Sequence, residues 1–263
     1  MEIIAYIASV FIGISLGLIG GGGSILTVPV MVYLFGVSPL LATSYSLFIV
    51  GTTSMVGAYQ NVRKGDVNFK TVALFGLSSI TTVFLTRNYI IPRIPAHLFN
   101  IGQFEVTENF LTMVLFALLM LAAGYAMIIP GKNKGKEPVI PLKVPLGKLL
   151  FYGLIIGLVT GLLGAGGGFL LIPMLVILVH LPMKEAVGTS LLIISLNSLI
   201  GFSGDIGHFT INWYFLLKIS FIAIAGVMIG GWINKKVQGE KLKKGFGWFV
   251  LFMAGYILLK ELL

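Results

Sequence analysis

Two glycine clusters, each followed by a proline, are the residues of this chain best suited to bind a ligand. Residues 20–23 are all glycine and precede Pro29, while the second cluster comprises Gly164 and residues 166–168 and precedes Pro173. Glycine tolerates positive φ and lets a ligand approach the backbone closely. A helix that begins after each cluster, with the proline near its first turn, would offer free N–H groups and a partial positive charge. Two such helix ends facing each other would suit a small oxyanion.

The two clusters lie in an internal repeat. When the sequence is shifted by 144 residues, residues 17–29 align with residues 161–173, and the match continues without a gap. Residues 13–68 are identical to residues 157–212 at 17 of 56 positions. Composition bias in apolar segments inflates such matches but does not place glycines and prolines in register. The chain is therefore interpreted as a duplication, although close packing of helices is an alternative use of the glycines.

The apolar helix after each cluster carries polar side chains at matching positions. Ser46 and Thr53 in the first repeat correspond to Ser190 and Asn197 in the second. Because seven residues separate the members of each pair, they share one helix face. Their hydroxyl and amide groups can donate to an anion, and so can the hydroxyl of Ser24 at the end of the first cluster. Either Ser24 or Thr27 can alternatively cap the helix that follows. Hydrogen bonding between helices is the alternative for all of them.

Composition indicates an integral membrane protein. Apolar residues make up 57% of the 263 residues and charged residues only 10%, with a mean hydropathy of +1.02. These values exclude a cytosolic enzyme and a free nucleic-acid-binding domain, because too little polar surface is present to cover a water-soluble globule. The net charge of +9 comes from basic residues between apolar runs, which are typical of membrane-flanking segments. Cysteine is absent, and no cofactor is expected.

The apolar runs predict an all-α fold of two repeats in the cell membrane. In each repeat a hairpin centred on the glycine cluster, residues 3–35 or 149–181, precedes three spanning helices. The limbs that follow the clusters, residues 25–35 and 169–181, are shorter than the roughly 20 residues that a crossing needs. Each hairpin is therefore expected to be a re-entrant or broken helix pair around a binding site. Hairpin limbs that cross the membrane fully would also leave an odd number of crossings between equivalent points of the two repeats. They remain an alternative.

The charges of the loops predict that the two repeats have opposite orientations. The loop at residues 63–70 is rich in Lys and Arg, whereas its equivalent at residues 204–212 has neither. Because basic loops face the cytoplasm, the two loops should lie on opposite sides of the membrane. The chain then divides into an N-terminal membrane repeat (residues 1–130), a basic cytoplasmic linker (131–148) and a C-terminal membrane repeat (149–263).

The other polar residues are expected at the membrane surface. Arg87 follows an apolar run that ends at residue 85 and is placed outside, within or next to an outside loop or interfacial piece at residues 88–108. Asp205 and His208 are interpreted as a solvated pair in the outside loop, and a proton relay by the two residues is the alternative. The equivalent residues Asn68 and Asn212 stand where each would cap a helix.

The pattern Gly-x-x-Gly-x-Gly-Gly-x-x-Leu-x-x-Pro at residues 17–29 and 161–173 resembles the sulfite exporter TauE/SafE family, also called TSUP permeases. Membership implies a secondary transporter of small sulfur-containing anions such as sulfite, thiosulfate or organosulfonates, with movement linked to the proton gradient. It also implies that the translocation site is lined by Gly20, Gly22, Gly23, Pro29, Gly164, Gly166, Gly167 and Pro173. The second copy departs from the first at Ala165 and Gly168, so the two half-sites differ.

The expected function is therefore a multi-pass permease that works by alternating access, with a small anion and the lipid bilayer as partners. A small-anion channel without coupling to a gradient is the alternative. An enzyme is disfavoured because the three histidines lie near predicted membrane surfaces, and a metal permease because intramembrane carboxylate and histidine clusters are absent from the pattern. The direction of transport, and whether the chain is a monomer or a homodimer, are left open.

Overall fold

The computed structural model describes residues 2–95, 97–101, 104–128, 146–164, 166–177, 179–234 and 239–262. The α-helices in chain order are α1 (Glu2–Ile19), α2 (Thr27–Tyr33), α3 (Pro39–Lys64), α4 (Phe69–Leu85), α5 (Glu108–Ile128), α6 (Leu146–Leu163), α7 (Gly168–Ile177), α8 (Met183–Asp205), α9 (Trp213–Asn234) and α10 (Gly239–Leu262). Between α1 and α2, the segment Gly20–Leu26 forms a 3₁₀-helix. Residues 131–145, most of the predicted linker, lie outside the described residues.

Six helices in the described part of the chain are long and apolar enough to cross a bilayer. They are Pro39–Lys64, Phe69–Arg93, Glu108–Ile128, Leu146–Leu163, Met183–Asp205 and Trp213–Ile233. Five contain predicted spanning runs, and the sixth is the first limb of the second predicted hairpin. Large apolar side chains such as Leu77, Phe221 and Phe252 are about 70% exposed, which suits a lipid-facing surface and not a water-facing one. The chain is a multi-pass membrane protein.

The segment after α4 departs from the all-α prediction. Helix α4 continues through a π-helical turn at Thr86–Ile90 and a 3₁₀ turn at Ile91–Arg93. Two antiparallel strands follow, β1 (His97–Ile101) and β2 (Phe104–Thr107). The sequence predicted only an outside loop or interfacial piece here, although β2 alternates apolar and polar residues as a strand does.

The main contacts between helices of one half and helices of the other are the same for equivalent helices of both halves. Helix α1 packs against α9, and its equivalent α6 packs against α4. Helices α3 and α8 pack on each other, and so do α5 and α10. Glycine makes the first two contacts close, because a Cβ at Gly13 would meet the backbone of Ala223 and one at Gly157 would meet the backbone of Ser79. These glycines serve helix packing.

Asn68 and Asn212 cap their helices, as the sequence predicted. The Asn68 side chain accepts from the backbone N–H of residue 71 at 3.0 Å, and the Asn212 side chain accepts from that of residue 215 at 3.1 Å. Each asparagine also donates its own backbone N–H to a hydroxyl on the opposite half, Thr189 for Asn68 and Tyr45 for Asn212, both at 2.9 Å. Thr189 and Tyr45 are themselves repeat equivalents, so the caps fix α4 and α9 against the other half.

Candidate functional site

The two glycine clusters are in contact with each other. A Cβ added to Gly21 would stand 2.6 Å from the Cα of Gly168, and a Cβ added to Gly168 would meet the backbone carbonyl of Gly21. The side chain of Ile194 on α8 closes the same contact from the side. Only glycine permits backbone to approach backbone this closely. Neither Gly21 nor Gly168 belongs to the set implied by the family motif, yet they form the contact between the two glycine clusters.

The two clusters have different backbone conformations. Gly164, Gly166 and Gly167 have φ values of 66°, 66° and 68°, a region that side chains with a Cβ rarely adopt. The first cluster, which includes Gly20, Gly22 and Gly23, is instead wound into the 3₁₀-helix. Positive φ is therefore needed by the second cluster only, and the half-sites differ in shape as well as in sequence.

The second cluster packs into the crossing of α3 and α8. A Cβ at Gly164 would overlap Thr43, at the start of α3. A Cβ at Gly166 would stand 2.7 Å from Val50 Cγ1 and 3.1 Å from the hydroxyl oxygen of Ser198. Polar side chains of both helices thus lie directly beside the glycine backbone, where a bound anion would meet them.

The first cluster packs back onto its own hairpin. A Cβ at Gly23 would stand 2.6 Å from the Ser15 hydroxyl on α1. Ser24 donates its hydroxyl to the Gly21 carbonyl at 2.8 Å, within the cluster, while the Thr27 hydroxyl has no hydrogen-bond partner among the described residues. The expectation that Ser24 or Thr27 caps α2 is therefore wrong, because the 3₁₀-helix runs directly into α2.

The two prolines occupy different places in their helices. Pro29 is the third residue of α2, within the first turn as predicted. Pro173 was expected near the first turn of its helix, but it is the sixth residue of α7 and lies in the helix interior. Proline in a helix interior cannot donate to the carbonyl four residues earlier. Helix α7 begins at the glycine cluster itself, five residues before its proline.

The polar side chains predicted on the α3 and α8 faces are all buried, but they have different partners. Thr53 and Ser190 donate their hydroxyls to carbonyls of their own helices, at 2.6 Å and 2.9 Å. Asn197 donates its amide to Ser79 of α4 at 2.6 Å, which is an interhelical bond, while its Oδ1 has no partner in the described residues. The hydroxyl of Ser46 is likewise without a partner there.

Several more buried hydroxyls lack a hydrogen-bond partner in the part of the chain that the structure describes. They are Ser54 on α3, Thr160 on α6, and Ser195 and Ser198 on α8. A buried polar group without a partner costs about 1–3 kcal/mol, so such groups are normally satisfied by water or a ligand. Most of these donors lie on α3 and α8, the two helices that cross beside the second glycine cluster.

A small cavity lies between the hairpin limbs. It is lined by apolar side chains including Ile25 and Phe116, by Gly167 and by the partnerless hydroxyl of Thr160. The space accommodates about one water molecule and is too small for a sulfur oxyanion. The described residues around the glycine clusters are thus closely packed.

A buried ion pair lies beside the second cluster and corrects two sequence predictions. Arg87 Nη1 and Asp205 Oδ2 are 3.2 Å apart, and both side chains are 0% exposed. Arg87 Nη1 also donates to the hydroxyl of Thr43 at 3.0 Å. Arg87 was placed outside and Asp205 in a solvated pair with His208. Neither side chain is solvated, because the π-helical turn continues α4 past residue 85 and directs Arg87 toward the end of α8.

The pairing of Arg87 with Asp205 was missed, although a signal was present. Both residues follow apolar runs that the topology prediction ended on the same, outer side of the membrane. The only acidic residue in one loop and an arginine in the neighbouring one are natural partners, and ionisable residues at membrane depth are functional candidates by default.

Comparison with known proteins agrees with these features. The sequence model of the family described as sulfite exporter TauE/SafE matches residues 5–257. A Xylella fastidiosa (strain Temecula1) protein named "Probable membrane transporter protein" is 27% identical over 254 residues, which cover 94% of this chain and 91% of its own. YunE of Bacillus subtilis (strain 168), also named a probable membrane transporter protein, is 27% identical and covers 86% of this chain and 85% of its own. No solved structure matches.

The family match spans nearly the whole chain and includes both glycine clusters and the ion pair. The relatives carry the names of membrane transporters and not of enzymes. Together with the six apolar helices of spanning length, these matches give the identity of the protein. The chain belongs to the sulfite exporter TauE/SafE family of membrane transporters.

Proposed function

We propose that this protein is a secondary transporter of small sulfur-containing anions, such as sulfite, thiosulfate or organosulfonates. Transport proceeds by alternating access around the two glycine clusters and is driven by the proton gradient, as the family resemblance implies. The contact of Gly21 with Gly168 carries this proposal. It joins two glycine-rich backbone segments where two helices present buried hydroxyls, and backbone N–H groups and hydroxyls of this kind bind oxyanions.

The two repeats form inverted half-sites in this proposal, with boundaries at residues 1–130 and 149–263. Equivalent helices of the two halves make equivalent contacts, which supports a two-fold symmetry axis between the halves. The opposite charges of the equivalent loops support an axis that lies in the membrane plane. Substrate then binds from Gly20, Gly22, Gly23, Ser24 and Pro29 on one side and Gly164, Gly166, Gly167 and Pro173 on the other. The hydroxyls and amide of Ser46, Thr53, Ser190 and Asn197 complete the site.

Binding is expected to stabilise the detergent-purified protein against heat. An anion at 100 times its Kd adds about 2.7 kcal/mol to the free energy of unfolding. The panel comprises sulfite, thiosulfate, sulfoacetate, taurine, sulfate and nitrate, with a divalent cation as the control. A shift confined to sulfur oxyanions or sulfonates supports the proposal. A shift with the cation alone, or none with any anion, refutes the proposed substrate class.

Flux into proteoliposomes separates a transporter from a channel. A coupled transporter accumulates labelled thiosulfate or sulfoacetate against its gradient when a proton gradient is imposed, and the initial rate saturates. A channel only equilibrates the anion, and its flux rises linearly with concentration. Linear, uncoupled flux would therefore replace the transporter proposal with the small-anion channel.

The hydroxyls of Ser46 and Ser190 are expected to contribute directly to affinity. Because a hydrogen bond to a charged group is worth about 1.5–3 kcal/mol, Ser46→Ala or Ser190→Ala should raise the Kd of the stabilising anion about 10- to 100-fold. Removal of a hydroxyl leaves the helix packed, so the melting temperature without anion should change little. The exposed Ser203 on α8 also bonds within its own helix, and Ser203→Ala is the matched control. Unchanged Kd values in both test variants would make Ser46 and Ser190 packing residues.

A further inference from the structure

The buried ion pair leaves most of the arginine unused. Asp205 Oδ2 meets only Nη1 of Arg87, and the same Nη1 also donates to Thr43. The Nε and Nη2 atoms of Arg87 have no hydrogen-bond partner among the described residues, although the side chain is fully buried. A structural arginine–carboxylate pair is usually bidentate, with two parallel N–H···O bonds from the guanidinium fork. Here the fork is available to another acceptor.

The pair has no counterpart in the other half of the chain. At the same offset of 144 residues, Arg87 corresponds to Gly231 and Asp205 to Asn61. Asn61 bonds its side-chain amide to a carbonyl of its own helix at 2.8 Å. The equivalent position in the first half therefore folds without a charge. Packing of the repeat does not itself require an ion pair, which points to a role beyond the fold.

The position of Arg87 joins the second glycine cluster to the surface. Thr43, which accepts from Arg87, is the residue that a Cβ on Gly164 would overlap. One residue beyond Arg87, Asn88 lies with its Oδ1 3.4 Å from Nε2 of the exposed His208. The Thr43 side chain thus lies between the guanidinium and the glycine backbone, and the residue after Arg87 contacts an exposed histidine. An anion that moves between surface and cluster on this side would pass it.

We propose that Arg87 is a direct ligand of the transported anion and that Asp205 is the counter-ion that holds Arg87 when the site is empty. The inference rests on the proposed transport of small anions and names the charged group of that site. A sulfonate or sulfur oxyanion presents two oxygens to the fork of Nε and Nη2, which a single hydroxyl cannot match. Asp205 contacts only Nη1, at 3.2 Å, so it neutralises Arg87 while the site is empty and leaves Nε and Nη2 for the anion.

Anion-dependent thermal shifts and Kd values of charge variants, measured with thiosulfate and sulfoacetate, test the proposal. Arg87→Gln and the neutral double variant Arg87→Gln/Asp205→Asn should lose the anion-dependent shift. Arg87→Lys, which keeps the charge but not the fork, should bind about tenfold more weakly. Asp205→Asn removes the competing carboxylate and should bind about tenfold more tightly. Arg93→Gln is the matched control, because Arg93 is an exposed arginine that bonds to a backbone carbonyl of its own segment.

The outcomes separate this inference from the proposed function. An anion response in the wild type that survives in the folded neutral double variant overturns the role of Arg87 and leaves anion transport standing. A wild-type protein that responds to no anion overturns both. Tighter binding by Asp205→Asn that is weakened by Arg87→Lys and lost in the folded double variant is the positive result, because this pattern requires both the charge and the fork of Arg87. Weaker or unchanged binding by that variant contradicts the role of Asp205.

Discussion

Substituting alanine for Gly168 is expected to lower the free energy of unfolding by about 3 kcal/mol and to abolish anion transport. The new Cβ would meet the carbonyl, Cα and carbonyl carbon of Gly21, all of them backbone atoms. No side-chain rotation relieves such an overlap, so the two glycine clusters must move apart. Thermal unfolding in detergent and flux into proteoliposomes measure the two effects.

Two alanine variants control this prediction. Gly255→Ala on α10 adds a Cβ that meets no described atom within 4 Å and should leave stability and transport unchanged. Gly13→Ala crowds the contact of α1 with Ala223 on α9 and should destabilise the protein to a similar degree. Its folded fraction should still be stabilised by the anion, because this contact lies away from the clusters. If Gly168→Ala transports at the wild-type rate, the contact of the clusters is not part of the translocation site.

The meeting of the glycine clusters could be predicted because the repeat carries it. A residue that must let backbone touch backbone has to be glycine, so the glycine clusters in register marked both segments, although the two glycines in contact, Gly21 and Gly168, stand where the repeats differ. The caps at Asn68 and Asn212 were predictable for the same reason, since an N-cap needs one of a few side chains at one position. Features of this kind depend on the residue type at one position, and the residue type can be read from the sequence.

The conformation within each cluster could not be predicted in the same way. Glycine permits both 3₁₀ and positive-φ backbone, so four glycines at residues 20–23 do not decide between them. The choice depends on neighbours in space, such as Thr43 beside Gly164. The hairpin of β1 and β2 was missed because strands of five and four residues give too short a period-two pattern among the apolar runs.

The ion pair was missed because a prediction from hydropathy ends a spanning helix at the first charged residue. An arginine after residue 85 was interpreted as the end of the spanning segment, whereas the π-helical turn continues the helix and turns Arg87 inward. A π-helical turn inserts one residue into the helix and is frequently found at functional sites. Its presence depends on tertiary contacts such as that of Thr86 with Gly161, which no single-sequence pattern reveals.

Removal of one charge from the buried pair is expected to destabilise the protein strongly, and removal of both charges only slightly. Arg87→Gln or Asp205→Asn leaves an uncompensated charge between α4 and α8, and breaking a buried pair in this way costs about 3–5 kcal/mol. The double variant Arg87→Gln/Asp205→Asn places neutral polar side chains at both positions, an isosteric one at residue 205 and a shorter one at residue 87. Replacement of both partners is often neutral, so its melting temperature should return to near that of the wild type.

The two single variants should differ in stability, and which of them is less stable tests whether the burial of an unpaired charge is the cause. Asp205→Asn should be the less stable, because a guanidinium does not give up its proton inside a protein. In Arg87→Gln the carboxyl group of Asp205 can take up a proton and become neutral, which limits the cost of its burial. Thermal unfolding of the four proteins in one detergent, without anion, gives the coupling energy as a double-mutant cycle. Additive losses in the double variant would mean that Arg87 and Asp205 do not interact energetically, and that each is held by other groups.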